Sequence, residues 1–260
     1  MNSMKPLKSA AIVSLAALCI APLSCLAQSD QGNLYEVVTL VAKPGMTARF
    51  EQGLKQVYAY AKSHGDTNPV SAFEVMYGPN DGNVILLIPF KWENVDNPPS
   101  YEAGIGPVIE KNIDPYVSSA HTSLMRILPK LGNPAPANAT PQKFYEIIDV
   151  RIRPGKADDF LAAVGQLSTA EQKYNSGPNP VEIFETVAGG DADEVIVAIG
   201  HPSFVDFAHQ GKSNMEVLTQ AYGGPAALAV ENQLSGSIAR EDVTIDRYRP
   251  DLSFTPSAGQ

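Results

Sequence analysis

Cysteine is almost missing from this 260-residue chain: Cys19 and Cys25 are the two present, and both fall in a short N-terminal stretch that reads as an export signal. Once that stretch is removed no thiol is left, which excludes a disulfide framework, a thiolate nucleophile and a metal-thiolate centre. Basic residues are also few, 19 against 28 acidic. Lys5 and Lys8 belong to the same signal, so cleavage leaves 17 basic against 28 acidic side chains, a net of −11. Backbone phosphates are held by surplus Lys and Arg, so nucleic acid and, after signal cleavage, an anionic membrane face are excluded as partners. The sequence holds no Gly-x-Ser-x-Gly elbow and no His-Glu-x-x-His pair. Its Gly-Gly steps, Gly189-Gly190 and Gly223-Gly224, lack the strand-to-helix setting of a phosphate loop.

The signal itself has the expected three parts. Lys5 and Lys8 precede an apolar run from Ala10 to Ala21, and Ser24-Cys25-Leu26-Ala27 offers small residues for cleavage after Ala27. The apolar run is shorter than the roughly 20 residues a membrane-spanning helix needs. Pro22-Leu23-Ser24 fits poorly to a lipidation site at Cys25. The expected location is secreted or periplasmic.

What the chain does contain is a repeat. Tyr35-Glu36-Val37-Val38, Lys43-Pro44-Gly45 and Phe50 return as Tyr145-Glu146-Ile147-Ile148, Arg153-Pro154-Gly155 and Phe160, at a constant offset of 110. Asn68-Pro69-Val70 and Phe73-Glu74 return as Asn179-Pro180-Val181 and Phe184-Glu185 at an offset of 111. A fixed-offset repeat outranks any single motif as a guide to architecture. The expected division is a signal at 1–27, a first repeat at 28–131, a Pro/Ala-rich linker at 132–142, and a second repeat with a tail at 143–260.

Within each repeat, a β-branched run ends at Pro-Gly and predicts a strand, followed by a helix from the spacing of Phe50, Leu54, Val57 and Ala61, or of Phe160, Val164 and Leu167. Two further strand-like runs joined by Gly-rich turns predict hairpins at 70–90 and 181–200. A second helical stretch follows, near Pro107–Ser119 and Ser213–Gln233, and then a short fourth strand at Ser123–Arg126 and Ser237–Arg240. The order β-α-β-β-α-β is the ferredoxin-like unit. In the first strands Val38, Leu40, Ala42 and Ile148, Val150, Ile152 make an apolar row suited to lie under helices, whereas Tyr35, Val37, Thr39 and Tyr145, Ile147, Asp149, Arg151 form a mixed opposite row. Packing the two sheets together buries that mixed face.

These features, the strand–Pro-Gly–helix opening, the Glu-bearing hairpin and a Ser-x-x-Arg last strand, each present twice, resemble the dimeric α/β-barrel superfamily. It includes antibiotic-biosynthesis-type monooxygenases, NIPSNAP-like proteins and stress-responsive barrel proteins. The resemblance implies an α+β fold in which two ferredoxin-like sheets close into one barrel inside a single chain, an intrachain pseudo-dimer that is a monomer in solution. It implies a small apolar or aromatic ligand in the lumen and, if the protein is an enzyme, a cofactor-independent oxygenation of a phenolic or enol substrate. Haem-using members employ a histidine. His64, His121, His201 and His209 have no counterpart in the other repeat, and no cofactor or metal is expected.

The polar set held by both repeats is Glu74 with Glu185 and Arg126 with Arg240. A carboxylate and a guanidinium on adjacent inward strands could fix a polar ligand or poise a base; an ordinary sheet ion pair is the bland alternative. The expected base is Glu185 or Asp149, with His201 as candidate proton carrier, while Glu74, Arg126, Arg240 and Arg151 are expected to contact ligand. The rival reading is a non-catalytic interaction module with a filled barrel core. A lined interior cavity of a few hundred Å³ favours ligand binding, and interdigitated aliphatic side chains favour the rival.

Overall fold

The apolar row of each first strand does pack under a helix, and that contact sets the architecture. The computed structural model describes residues 33–99, 102–135, 139–174, 179–208 and 211–256. The expected export signal with its two cysteines, His209 and the centre of the expected linker lie outside the described residues. In the first half the elements are β1 (Leu34–Ala42), α1 (Thr47–Ser63), β2 (Ser71–Tyr77), β3 (Val84–Pro89), a short α2 (Glu93–Asp96), α3 (Glu102–Asn112) and β4 (Val117–Ile127). The second half runs β5 (Phe144–Ile152), α4 (Ala157–Tyr174), β6 (Val181–Ala188), β7 (Glu194–His201), a 3-10 turn (Phe204–Ala208), α5 (Asn214–Tyr222), α6 (Gly224–Ser237) and β8 (Ile238–Tyr248).

All eight strands form one closed antiparallel barrel in the order β1-β3-β2-β8-β5-β7-β6-β4. Closure removes the sheet edges, and it is achieved across the halves, because β2 pairs with β8 and β4 pairs with β6. Each step around the ring reverses direction, so β1 and β5, four steps apart, run the same way. Their first residues therefore mark one end of the barrel, the lower mouth.

Side-chain alternation sorts every strand into two faces. Outward, Val38, Leu40 and Ala42 pack with Phe50, Leu54 and Val57 of α1, and Val150 and Ile152 pack with Phe160 and Val164 of α4. Inward, Met125, Phe184 and Ala198 meet Val37, Leu87, Ile147 and Ile196 and fill the middle of the lumen. A barrel of eight strands has an interior just wide enough for such filling or for one small ligand.

Three expected elements differ from the observed ones. The helical stretch expected near Pro107–Ser119 lies at Glu102–Asn112, and residues 117–119 already belong to β4. The second helical stretch of the later half is split into α5 and α6, because Gly223, at φ 83, breaks it between them. The last strands are longer than the predicted four residues, and β8 continues to Tyr248. The extra helical length moves the register. Leu34 faces Arg126 and Phe144 faces Arg247, so the partner of a first-strand offset of 110 is a last-strand offset of 121. Arg247, not Arg240, stands where Arg126 stands.

Gly53 marks the closest approach of α1 and α3. A Cβ there would sit 1.8 Å from the backbone oxygen of Asn112 and 2.8 Å from its carbonyl carbon. Gly53→Ala is expected to lose about 3 kcal/mol in urea denaturation, since neither helix backbone can yield cheaply. Gly106→Ala in α3 has open space around it and should be neutral or stabilising by about 0.5–1 kcal/mol.

Candidate functional site

The paired Glu and Arg residues are brought together, but across the halves and on the outside of the barrel. Glu185 of β6 lies opposite Arg126 of β4, and Arg126 Nη1 donates to its Oε1 at 2.8 Å. Glu74 of β2 lies opposite Arg247 of β8 and accepts from Arg247 Nη2 and Arg249 Nη1, both at 2.6 Å. The expectation of a carboxylate and a guanidinium on adjacent inward strands is thus corrected: the pairs face outward, and each joins one half to the other. Arg240 is largely exposed and pairs with Asp242 at 2.7 Å. The outward side of β2 is fixed by Arg249, which also reaches Glu51 of α1 at 2.9 Å. Burial by itself raises Glu74, but the hydrogen bonds and charges of Arg247 and Arg249 outweigh it and hold the carboxyl below its usual range. These pairs stitch the two seams of the barrel.

His201 also faces outward. It is 5 % exposed, stacks on Phe207 of the 3-10 turn with centroids 4.0 Å apart, and approaches Asn179 through Nδ1 at 3.3 Å. Its Nε2 is buried without a hydrogen bond, 3.7 Å from a Glu146 oxygen. It shares the outward face with Phe144, so the barrel wall lies between it and the lumen and its place is not that of a proton carrier for a lumenal ligand.

Asp149 and Arg151 lie on the inward face, at the upper mouth. Asp149 faces Asp242 across β5 and β8 and lies near Glu194. Desolvation raises it first, and the charge of Glu194 raises it further. Arg151 pairs with Asp191. The upper mouth is therefore a mixed set in which both arginines have acidic partners.

The lower mouth holds a set that the sequence reading did not assign. Inward alternation places Tyr35 of β1, Phe73 of β2, Tyr145 of β5, Glu182 of β6, and Thr244, Asp246 and Tyr248 of β8 around it. Phe73 meets Tyr145 edge-on at 5.3 Å and Tyr248 at 5.6 Å, and Tyr35 meets Phe184 edge-on at 6.3 Å. Tyr35, Phe73, Tyr145 and Tyr248 are each only half-buried, so the rings border accessible space. Asp246 lies directly across from Tyr145 and is 3 % exposed, with one hydroxyl, Thr244 Oγ1, 3.1 Å away. Desolvation pushes it up to about 6 despite that hydrogen bond. Glu182 is raised by desolvation, and burial raises both Tyr35 and Tyr145, with the charge of Glu182 adding to it, Tyr145 to about 12. The alternation Thr244-x-Asp246-x-Tyr248 was the available signal. It went unread because the fourth strand was expected to stop at Arg240.

Two surface hollows, of about 280 and 320 Å³, lie outside the barrel, beside His64 and Lys91 and beside Gln52 and Asn112. Among the described residues no group of three or more His, Cys, Asp or Glu side chains is arranged to hold a metal ion. No helix among them is long and apolar enough to cross a membrane.

No family model matches the chain, and no curated protein is similar to it in sequence. Solved structures share its fold. A protein from Lactobacillus acidophilus NCFM described as a monooxygenase candidate superposes at a TM-score of 0.50 with 10% identity, over 86% of this chain and 96% of that one. An anthrone oxidase-like protein gives 0.50 with 11% identity, over 89% and 99%. Chlorite dismutase from Candidatus Nitrospira defluvii, solved with imidazole, gives 0.51 with 7% identity, over 86% and 93%. At such identities the likeness is one of fold: the chain is an α+β protein with the ferredoxin-like barrel architecture of these structures.

Proposed function

We propose that this chain is an exported tandem of two ferredoxin-like repeats, fused as one monooxygenase-like dimeric α/β barrel, that binds a small aromatic or apolar molecule at the lower mouth of its lumen. The observation that carries this reading is Asp246, a carboxyl 3 % exposed on the inner face of a ring of half-open aromatic side chains. A purely structural core gains nothing from a desolvated carboxyl, which costs free energy unless it is paired. Perturbed carboxyls lining a concavity are characteristic of sites. The filled middle of the lumen favours the rival, structural reading for that belt alone, and it confines the ligand to the mouth. Any base acting on such a ligand is Asp246 or Glu182, because Glu185 and His201 face away. An acid dissociating near 6 can take up or release a proton at neutral pH.

The test is untargeted mass spectrometry of small molecules carried by the purified mature protein, beside the variants Tyr145→Ala and Glu185→Gln. Ligand occupancy should fall about tenfold in Tyr145→Ala, which removes a lining ring. It should be unchanged in Glu185→Gln, whose half-exposed seam pair contributes about 1 kcal/mol or less to stability. Equal occupancy in all three proteins would sink the lower-mouth assignment.

A further inference from the structure

The seams and the lower mouth of the barrel differ in how their carboxylates are matched. On the seams Glu185 has Arg126, and Glu74 has Arg247 and Arg249. At the upper mouth Asp191 has Arg151 and Asp242 has Arg240. Among the described residues Glu182 and Asp246 have no such partner. Arg247 is turned outward onto Glu74, and Lys143, just before β5, lies over the outward ring of Phe144 at 5.4 Å. Among the described residues no lysine or arginine acts on the ionisation of Glu182 or Asp246. Two carboxyls are thus held in a poorly hydrated mouth without a counter-charge.

The surrounding wall is aromatic. Phe73 stands at 90° to Tyr145, and Tyr35 at 76° to Phe184. An edge-to-face pair leaves the second face of one ring unpaired, and a ring face carries the negative side of the aromatic quadrupole. Negative ring faces and unbalanced carboxyls attract the same kind of ligand, and they repel a phenolate or carboxylate. We infer that the lower mouth is a binding site for an organic cation, a protonated or quaternary amine on a small apolar or aromatic body, with Tyr35, Phe73, Tyr145 and Tyr248 as its cage and Glu182 and Asp246 as its counter-charge. This rests on the reading that the lower mouth binds a small molecule, and it names the chemistry of that molecule. The ligand supplies the positive charge that this mouth lacks.

Isothermal titration of the mature protein with choline, and with its uncharged carbon isostere dimethylbutanol, separates the charge from the shape. Choline should bind about tenfold or more tightly than the isostere, as a desolvated cation–aromatic contact predicts. Glu182→Gln and Asp246→Asn should each weaken choline by about tenfold while leaving the isostere unchanged. Choline affinity should also fall as the pH is lowered through about 6, where Asp246 takes up its proton; Glu182, Tyr35, Tyr145 and Tyr248 are the other titratable groups facing that space. Equal affinity for the two probes, or choline binding indifferent to both substitutions, overturns the cation assignment and leaves the small-molecule site standing. Binding of neither probe at millimolar concentration overturns both.

Discussion

Asp246→Asn should make the protein more stable at neutral and alkaline pH, by about 2–3 kcal/mol near pH 8, and should bring no gain near pH 4. The folded carboxyl dissociates near 6, above its ordinary 3.8. A group whose folded value is raised contributes stability below the unfolded value and loses it as pH rises through the folded one. The window therefore runs from about pH 4 to pH 7, and the full shift corresponds to about 3 kcal/mol of penalty for the buried carboxylate. Asparagine keeps the volume and an acceptor for Thr244 but carries no charge; unsatisfied amide hydrogens take back part of the gain. In a protein of this size the gain is a rise of about 4–10 °C in melting temperature. Thermal scans of both proteins at several pH values check it. A variant as labile as, or more labile than, the parent at pH 8 would mean that Asp246 is not a desolvated, unpaired acid. The same substitution removes half of the proposed counter-charge, so stability and binding move in opposite directions.

A large loss is expected at Arg249, just after β8. Its guanidinium is 14% exposed and holds Glu74 at 2.6 Å, Glu51 at 2.9 Å and Asp251 at 2.8 Å. Its backbone is part of the same joint, since Arg249 N donates to Ala72 O at 2.8 Å and Ser253 Oγ donates to Arg249 O at 2.8 Å. Beyond it the chain turns back so that Leu252 and Phe254 enter the first core, and Phe254 bridges to Val70. Arg249→Met would leave three carboxylates converging with only Arg247 and Lys55 nearby. The expected cost is about 3 kcal/mol, at the low end for a broken buried pair because the acidic partners keep some contact with water. Arg249→Lys keeps the charge but not the fork and should cost about 1–2 kcal/mol. Urea denaturation measures both. Hydrogen exchange at the Val70 and Phe254 amides should accelerate in Arg249→Met before the rest of the barrel opens. A loss under about 0.5 kcal/mol would show the network to be a solvated surface cluster.

How much was legible in the chain can be judged residue by residue. The apolar rows Val38-Leu40-Ala42 and Ile148-Val150-Ile152 declared which face lies under helices, because strand alternation is a local property that needs no knowledge of neighbours. The helix of Phe50, Leu54 and Val57 and the turn at Pro44-Gly45 were legible for the same reason. The presence of paired Glu and Arg residues was also visible, but not who pairs with whom. Pairing depends on strand register, and the register of β8 was shifted by helices whose length no local pattern fixes. The same shift hid Asp246, which becomes a lumenal group only when β8 continues past Arg240 and lies beside β5 and β2.

From the sequence alone follow an α+β chain of two similar halves, each with one helix-facing and one mixed sheet face, and the confinement of both cysteines to the first 25 residues. These are consequences of residue type and spacing. Only the tertiary structure decided that the halves close through β2–β8 and β4–β6, that Glu74 and Glu185 serve the seams, and that Asp246 and Glu182 come together with aromatic rings at one mouth. The physical reason is that desolvation and charge pairing are properties of distance in space. Residues such as Tyr145 and Asp246, about a hundred positions apart in the chain, acquire them only when the barrel closes.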